Sequence, residues 1–459
     1  MAKGVELKGG IAGVILRLVV ALAVSLSLGV QPVAAQSILR DAETEAYLAD
    51  ISRPLIEAAG LDPHNVSVVV VGSDEINAFV AGGQIVYLHS ALVEAADNSN
   101  ELQGVIAHEL GHITGGHIIR FNDGVKEATG ITIVSLLIGI AAVAAGAGEA
   151  GLGAMGLGQQ VAVNRFLTFS RAQEASADEA GVTFLSKAGI SGKGSLSFFK
   201  KLQSQEYRYG RTLNTDSFGN DHPMTADRIQ FLTVHYQNDP AWNKPTDPKL
   251  DARFRRVKAK LTGFIEDPKE TFRQYPESDL SVPARYARAY AWHKSAYPEK
   301  AVGEVDALLA TAPHDPYFLE LKGQVLLESG RPGDAIAPLR EAVAETDQPL
   351  IAAMLGHALI STEDRANFEE ARKVLRVAVA RDNSNPFAWY QLGIVYDREG
   401  DQARAALATA ERYNLIGQPQ LALLSARQAL NGLKEGTPDW LRAQDIEMVS
   451  REAAGKKKR

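Results

Sequence analysis

The sequence predicts two architectures in succession: an α+β domain, mainly helical with a small sheet, followed by an all-α solenoid of stacked helix pairs. Three observations carry that expectation. The β-branched run Val66 to Val71 and a strand-Gly-Gly-strand pattern soon after it call for a sheet among segments of helical spacing. Ala-rich helical sequence then takes over, and prolines recur through it at a near-constant interval. A chain of 459 residues is long enough for two or three domains. Its 46% hydrophobic and 22% charged residues are ordinary for globular proteins, which argues against wholesale disorder and against a polytopic membrane protein. A net charge of −7, with no long basic block before the last four residues, leaves no nucleic-acid footprint. Cysteine is absent, so disulfides, thiolate metal sites and a cysteine nucleophile are excluded together.

At the N-terminus Lys3, Lys8 and Arg17 stand against Glu6, the uncharged apolar run Leu18 to Val30 follows, and Val33-Ala34-Ala35 supplies the small residues of a cleavage site. Residues 1–35 are therefore expected to be a signal peptide or, if uncleaved, an N-terminal anchor. Export without cysteine suits a bacterial periplasmic protein, with membrane association left open.

Residues 39–59 have helical spacing, and Val66 to Val71 reads as a strand. Asn77-Ala78-Phe79 then leads through Gly82-Gly83 into a second strand, Gln84-Ile85-Val86-Tyr87-Leu88-His89. Asn98-Ser99-Asn100-Glu101 is a capping signature for a helix over 101–119. Between Glu127 and Arg165 the sole charge is Glu149, so the segment 128–163 reads either as a buried or interfacial helical hairpin or as a membrane span. Residues 170–190 are again helical, Asp239 to Pro248 is a linker zone, and an amphipathic helix over 249–264 closes a first domain expected at 36–265. A linker at 266–282, repeats at 283–435 and a C-terminal helix with a basic tail at 436–459 complete the expected organisation.

Pro283, Pro316, Pro349, Pro386 and Pro419 are 33, 33, 37 and 33 residues apart, and Gly323, Gly356 and Gly393 each fall seven residues after a proline. Trp389, Leu392, Gly393 and Tyr396 fit the first helix of the tetratricopeptide pattern, and Ala335, Leu339 and Ala342 fit the second. About four such helix pairs are expected. They offer no catalytic group, but their concave surface suits a protein partner.

The chemistry lies in His108-Glu109-Leu110-Gly111-His112, an HExxH motif within a predicted helix. Histidines at i and i+4 share one helical face, so their imidazoles can take adjacent corners of a zinc tetrahedron while Glu109 reaches a water there as general base. The reaction class is amide hydrolysis. Two residues compete for the third ligand. His117 projects 140° from His112 and opposite His108 at 100° per residue, which makes it a surface residue or one behind the ligands. Glu174, in Glu174-Ala-Ser-Ala-Asp178, belongs to an acidic pair on one face of a downstream helix, where one carboxylate can bind metal and the other can fix a ligating histidine.

Here the chain resembles the zinc metallopeptidase family that contains HtpX and the CAAX prenyl protease. That family joins HExxH to a Glu in a downstream ExxxD helix, and the strand lead-in Asn77-Ala78-Phe79 with Gly82-Gly83 and the His222-Pro223 to Arg228 stretch are similar too. The signal peptide and repeats point to the BepA-like branch. The resemblance implies a gluzincin-type metallopeptidase domain in which His108, His112 and Glu174 hold one zinc ion, Glu109 is the general base and Asp178 orients a ligand. It implies that His222 approaches the zinc and holds the enzyme quiescent, or stabilises the oxyanion. It further implies substrate contacts at Asn77, Gln84, Ile85, Val86 and Arg228, with an extended chain adding to the strand near Gln84 to Leu88. The expected function is a periplasmic zinc endopeptidase acting on misfolded or stalled outer-membrane proteins, its repeats docking clients or outer-membrane assembly machinery. The competing reading is a chaperone or adaptor of outer-membrane protein assembly whose metal site lies dormant under His222.

Overall fold

A computed structural model describes residues 38–117, 134–135, 148–209 and 222–456. The signal-peptide reading at 1–35 and half of the 128–163 segment fall outside the described residues. Among those that are described, no helix is long and apolar enough to cross a membrane.

Among the described residues the first domain is built on a four-stranded sheet. Strand β1 (Ile38–Leu39) leads into helix α1 (Ala42–Ala58), followed by β2 (Ser67–Val71), β3 (Ala78–Ala81) and β4 (Ile85–His89). The sheet order is β1-β2-β4-β3, with β2 and β4 parallel and the outer pairs antiparallel. The β3-β4 hairpin turns at Gly82 and Gly83, whose φ values of 61° and 98° are reached cheaply only without a side chain. A short helix α2 (Ser90–Ala95) then delivers the chain to α3 (Ser99–Thr114). The Asn98 side chain accepts the Glu101 N–H, and the Glu101 carboxylate accepts that of Asp97.

Helix α3 is the axis of the domain, buried along its whole length from Ser99 to His112. Against it pack α1, α4 (Gly148–Lys187) and α5 (Lys193–Tyr209); α6 (Ala226–Gln237) packs on α4 and α5, and α7 (Pro248–Ile265) closes the fold. Two glycines let neighbouring backbones approach closely. A Cβ on Gly104 would meet Ser195 Cα at 2.4 Å, and one on Gly111 would meet the Ala177 carbonyl oxygen at 2.7 Å. The second approach sets the α4 carboxylates beside the α3 histidines.

The stretch read as a linker contains a helix, α8 (Pro268–Gln274), started by the Asp267 cap and Pro268. Five helix pairs follow rather than four: α9 (Val282–Lys294) with α10 (Pro298–Leu309), α11 (Pro316–Glu328) with α12 (Pro332–Glu345), α13 (Pro349–Ser361) with α14 (Phe368–Arg381), α15 (Pro386–Glu399) with α16 (Gln402–Leu415), and α17 (Pro419–Gly432) with α18 (Pro438–Lys456). The C-terminal helix is thus the second member of the fifth pair. Each periodic proline begins a first helix, where its missing N–H costs nothing. Gly323 and Gly356 admit the facing leucine: a Cβ there would lie 2.3 Å and 2.4 Å from the Cγ atoms of Leu339 and Leu375.

The solenoid meets the first domain through a buried ionic cluster. Arg256 pairs with Glu43 at 2.8 Å and with Asp315 at 2.7 Å, the Tyr286 hydroxyl donates to Glu43 at 2.6 Å, and Lys260 pairs with Asp41. Glu320 faces Lys260 only at 3.9 Å, and its Oε2 is buried without a hydrogen-bond partner. Burial raises the Glu320 pKa to about 8, against the pull of Lys260, and Asp41 and Glu43 add to the rise. The folded chain therefore holds a proton here that the unfolded chain releases, and this group's contribution falls as pH rises from the usual carboxylate range to about 8. Glu43, also raised by burial, acts in the same sense; the shifts of Asp41 and Lys260 lie outside that window. Glu320→Gln is expected to raise Tm by roughly 3–6 °C at pH 8.5 and to change it little at pH 5. Thermal unfolding at the two pH values decides it, and an equal shift at both would reject the titration of Glu320 as the cause.

Candidate metal centre

His108 and His112, one turn apart on α3, aim their Nε2 atoms at a common point and lie 3.1 Å from one another. From α4, Glu174 places its carboxylate oxygens 3.4 Å from each of them. His222, just before α6, brings Nδ1 to 2.9 Å from Glu174 Oε1 and 3.4 Å from His108 Nε2. One donor atom from each of these four buried residues falls within 4.8 Å of the others.

Those separations test the fit of a metal. Ligand atoms about 2.0–2.1 Å from a tetrahedral zinc are about 3.3–3.4 Å apart, and the separations given above run from 2.9 to 3.4 Å. Nitrogen lone pairs converging in a buried cell with one carboxylate need a shared cation, and two imidazoles with a carboxylate form a donor set for a borderline metal ion. The residues fit the group.

Glu109, the neighbour of His108, is fully buried and neither carboxylate oxygen has a hydrogen-bond partner; His222 Nε2 lies 3.8 Å away. Burial raises its pKa, against the pull of His222 and His108. A carboxylate spared from other bonds and made more basic is suited to taking a proton. Behind the donors, Asp178 Oδ1 lies 3.0 Å from His108 Nδ1. Burial opposes a charge on His108, yet the contacts with Asp178 and Glu174 prevail and bring its pKa to about 9; burial beside His108 and His222 takes His112 down to about 3.

Three expectations about neighbouring residues change. Arg228 donates Nε and Nη2 to Asp178 at 2.7 and 2.8 Å, pairs with Glu174 at 2.8 Å, and donates to the Pro223 carbonyl at 3.0 Å. Its guanidinium is committed behind the site, so it holds carboxylates and not substrate. Gln84, Ile85 and Val86 do not lie at an edge either. Strand β4 is paired on both sides, Val86 is fully buried and the Gln84 carbonyl accepts the Ser67 N–H. The edge nearest α3 is β3, Ala78–Ala81. Asn77 is buried at its start, where its Oδ1 accepts the Ala78 N–H and its carbonyl accepts the His89 N–H. Third, of the two placements open to His117 the structure has the one behind the ligands and not the surface one: α3 ends at Thr114, and His117 is buried with Nδ1 2.9 Å from His112 Nδ1. The helical projection failed because the helix had already stopped; the Gly115-Gly116 pair was the signal in the sequence.

Residues 42–235 match the family model described as Peptidase family M48. The chain carries an M48 peptidase domain. Behind it, residues 287–348 and 361–419 match the tetratricopeptide repeat model. The chain is 26% identical, over 81% of its length and 76% of the other, to the beta-barrel assembly-enhancing protease of Yersinia pestis. The protein of that name in Escherichia coli K12 is 23% identical over 87% of this chain and 81% of its own. The chain also aligns with the metalloprotease LoiP of Escherichia coli K12, 32% identical over 36% of this chain and 61% of that one.

Proposed function

We propose that the chain is a zinc-dependent endopeptidase of the bacterial periplasm that hydrolyses misfolded or stalled outer-membrane proteins. The observation that carries this reading is the four-donor cell of His108, His112, Glu174 and His222 with the unbonded carboxylate of Glu109 at its side. Likeness to beta-barrel assembly-enhancing proteases along most of both chains supports the substrate class, and the N-terminal pattern of Lys3, Lys8 and Arg17 before Leu18 to Val30 supports the compartment.

In this reading His108, His112 and Glu174 hold the zinc ion, which supplies Lewis-acid polarisation of a carbonyl and acidification of water. Asp178, 3.0 Å from His108 Nδ1, holds that ring with Nε2 turned into the site, while Arg228 balances the charge of both carboxylates. Glu109 takes a proton from water and returns it to the departing amine. Extended substrate pairs with the open side of β3. His222 occupies the corner that substrate would need, so it must withdraw for turnover; at rest it keeps the site closed. The repeats dock a protein partner, with outer-membrane assembly machinery as the proposed one.

The test is digestion of an unfolded outer-membrane β-barrel protein by the purified chain. Cleavage is expected to stop when a chelator removes the metal, to return with zinc and to run faster in His222→Ala. Bound zinc without cleavage by either the parent chain or His222→Ala would overturn the peptidase reading in favour of an adaptor.

A further inference from the structure

The two α3 histidines are anchored in different ways. His108 Nδ1 faces a carboxylate, Asp178. His112 Nδ1 faces another imidazole, His117, at 2.9 Å, with ring centroids 5.0 Å apart and planes at 78°. We infer that His117 is the positioning residue of His112, accepting its Nδ1–H and so fixing the tautomer and ring plane that turn the Nε2 lone pair toward the metal. The inference rests on the metal-site reading above.

The proton assignment follows from the geometry. His112 Nε2 points into the donor cell, 3.1 Å from His108 Nε2 and 3.4 Å from Glu174 Oε1. A lone pair on that atom places the ring proton on Nδ1, which must donate. His117 Nδ1 lies at donating distance, so His117 presents a lone pair there and carries its own proton on Nε2. A neutral acceptor holds the ring with a weaker bond than a carboxylate does. The pair thus gives His112 orientation without adding a negative charge to a cell that already contains Glu109, Glu174 and Asp178.

The backbone is shaped for this contact. Helix α3 stops at Thr114, Gly115 continues in a helical conformation (φ −72°, ψ −13°), and Gly116 turns the chain at φ 63°. The turn folds His117 back beneath His112. A Cβ on Gly115 would lie 2.3 Å from His117 Nε2, so the ring fits only because residue 115 has no side chain. The backbone at 115 would accept alanine without strain; its glycine is required by the imidazole.

The experiment measures zinc affinity by competition with a chromophoric chelator at one pH, with circular dichroism to verify folding. His117→Ala is expected to weaken zinc binding about 10- to 100-fold. His117→Gln should recover part of the loss, because its carbonyl can accept the same proton. Gly115→Ala should weaken binding in the parent chain but change little in a His117→Ala background, since the alanine acts only by displacing the ring. Affinities within about twofold of the parent in folded His117→Ala and Gly115→Ala would overturn the inference, standing well below that 10- to 100-fold expectation. If His117→Ala does not fold, Gly115→Ala decides alone. A parent chain that binds zinc but cuts no unfolded protein would sink the peptidase reading and leave this one intact; a parent that binds no zinc overturns it.

Discussion

Glu109→Gln is expected to lower the rate of peptide-bond cleavage by about 10²–10⁴-fold, the contribution of a well-placed general base, while zinc stays bound. The substitution keeps the shape of a fully buried side chain and removes its capacity to take a proton. Glu109 is not among the four residues whose donor atoms converge, so the metal donors are untouched. Burying an amide costs less than burying an unbonded carboxylate, so thermal stability should be equal or higher. Initial rates with metal analysis on the same preparation make the comparison. Cleavage at the parent rate would remove Glu109 from the mechanism, and loss of zinc along with activity would make its role structural.

Arg228→Ala has the largest expected effect on the fold. Arg228 is 8% exposed, its guanidinium bidentate to Asp178 and paired with Glu174, so its removal leaves two buried carboxylates without their cation. Breaking such an arrangement from one side typically costs about 3–5 kcal/mol. Zinc should offset part of the loss, because an ion that binds the folded state stabilises it and supplies a positive charge beside Glu174. Arg228→Lys should rescue incompletely, since a single ammonium cannot reproduce the planar fork on Asp178. Urea unfolding with and without chelator measures all three quantities. A destabilisation below about 1 kcal/mol, ordinary for a surface substitution, would show that the carboxylates do not depend on Arg228.

Much of this architecture is legible along the chain because it is set by near neighbours. The cap at Asn98, the two-glycine hairpin, the prolines that start first helices and the glycines that receive Leu339 and Leu375 all act within a turn or between adjacent helices. His108 and His112 belong to the same class, since two residues four apart on one helix can have only one relative placement. Where the reading failed, a local rule was carried past its end. The helical projection of His117 assumed turns that stop at Thr114, and the linker at 266–282 was judged by its prolines and charges although Asp267-Pro268 is a helix start.

The site itself divides along the same line. By itself the sequence determined the pair of histidines, the adjacent base and the repeat period, because helical spacing converts sequence distance into spatial distance. The family resemblance implied Glu174 and His222 as companions of that pair; only the tertiary structure set their donor atoms beside it, and it alone decided that Arg228 backs the carboxylates, that β3 and not β4 is the open edge, and that His117 returns beneath His112. Each of those depends on which elements pack together, and close approaches such as Gly111 against Ala177 set that packing between segments tens of residues apart, where no periodicity reaches.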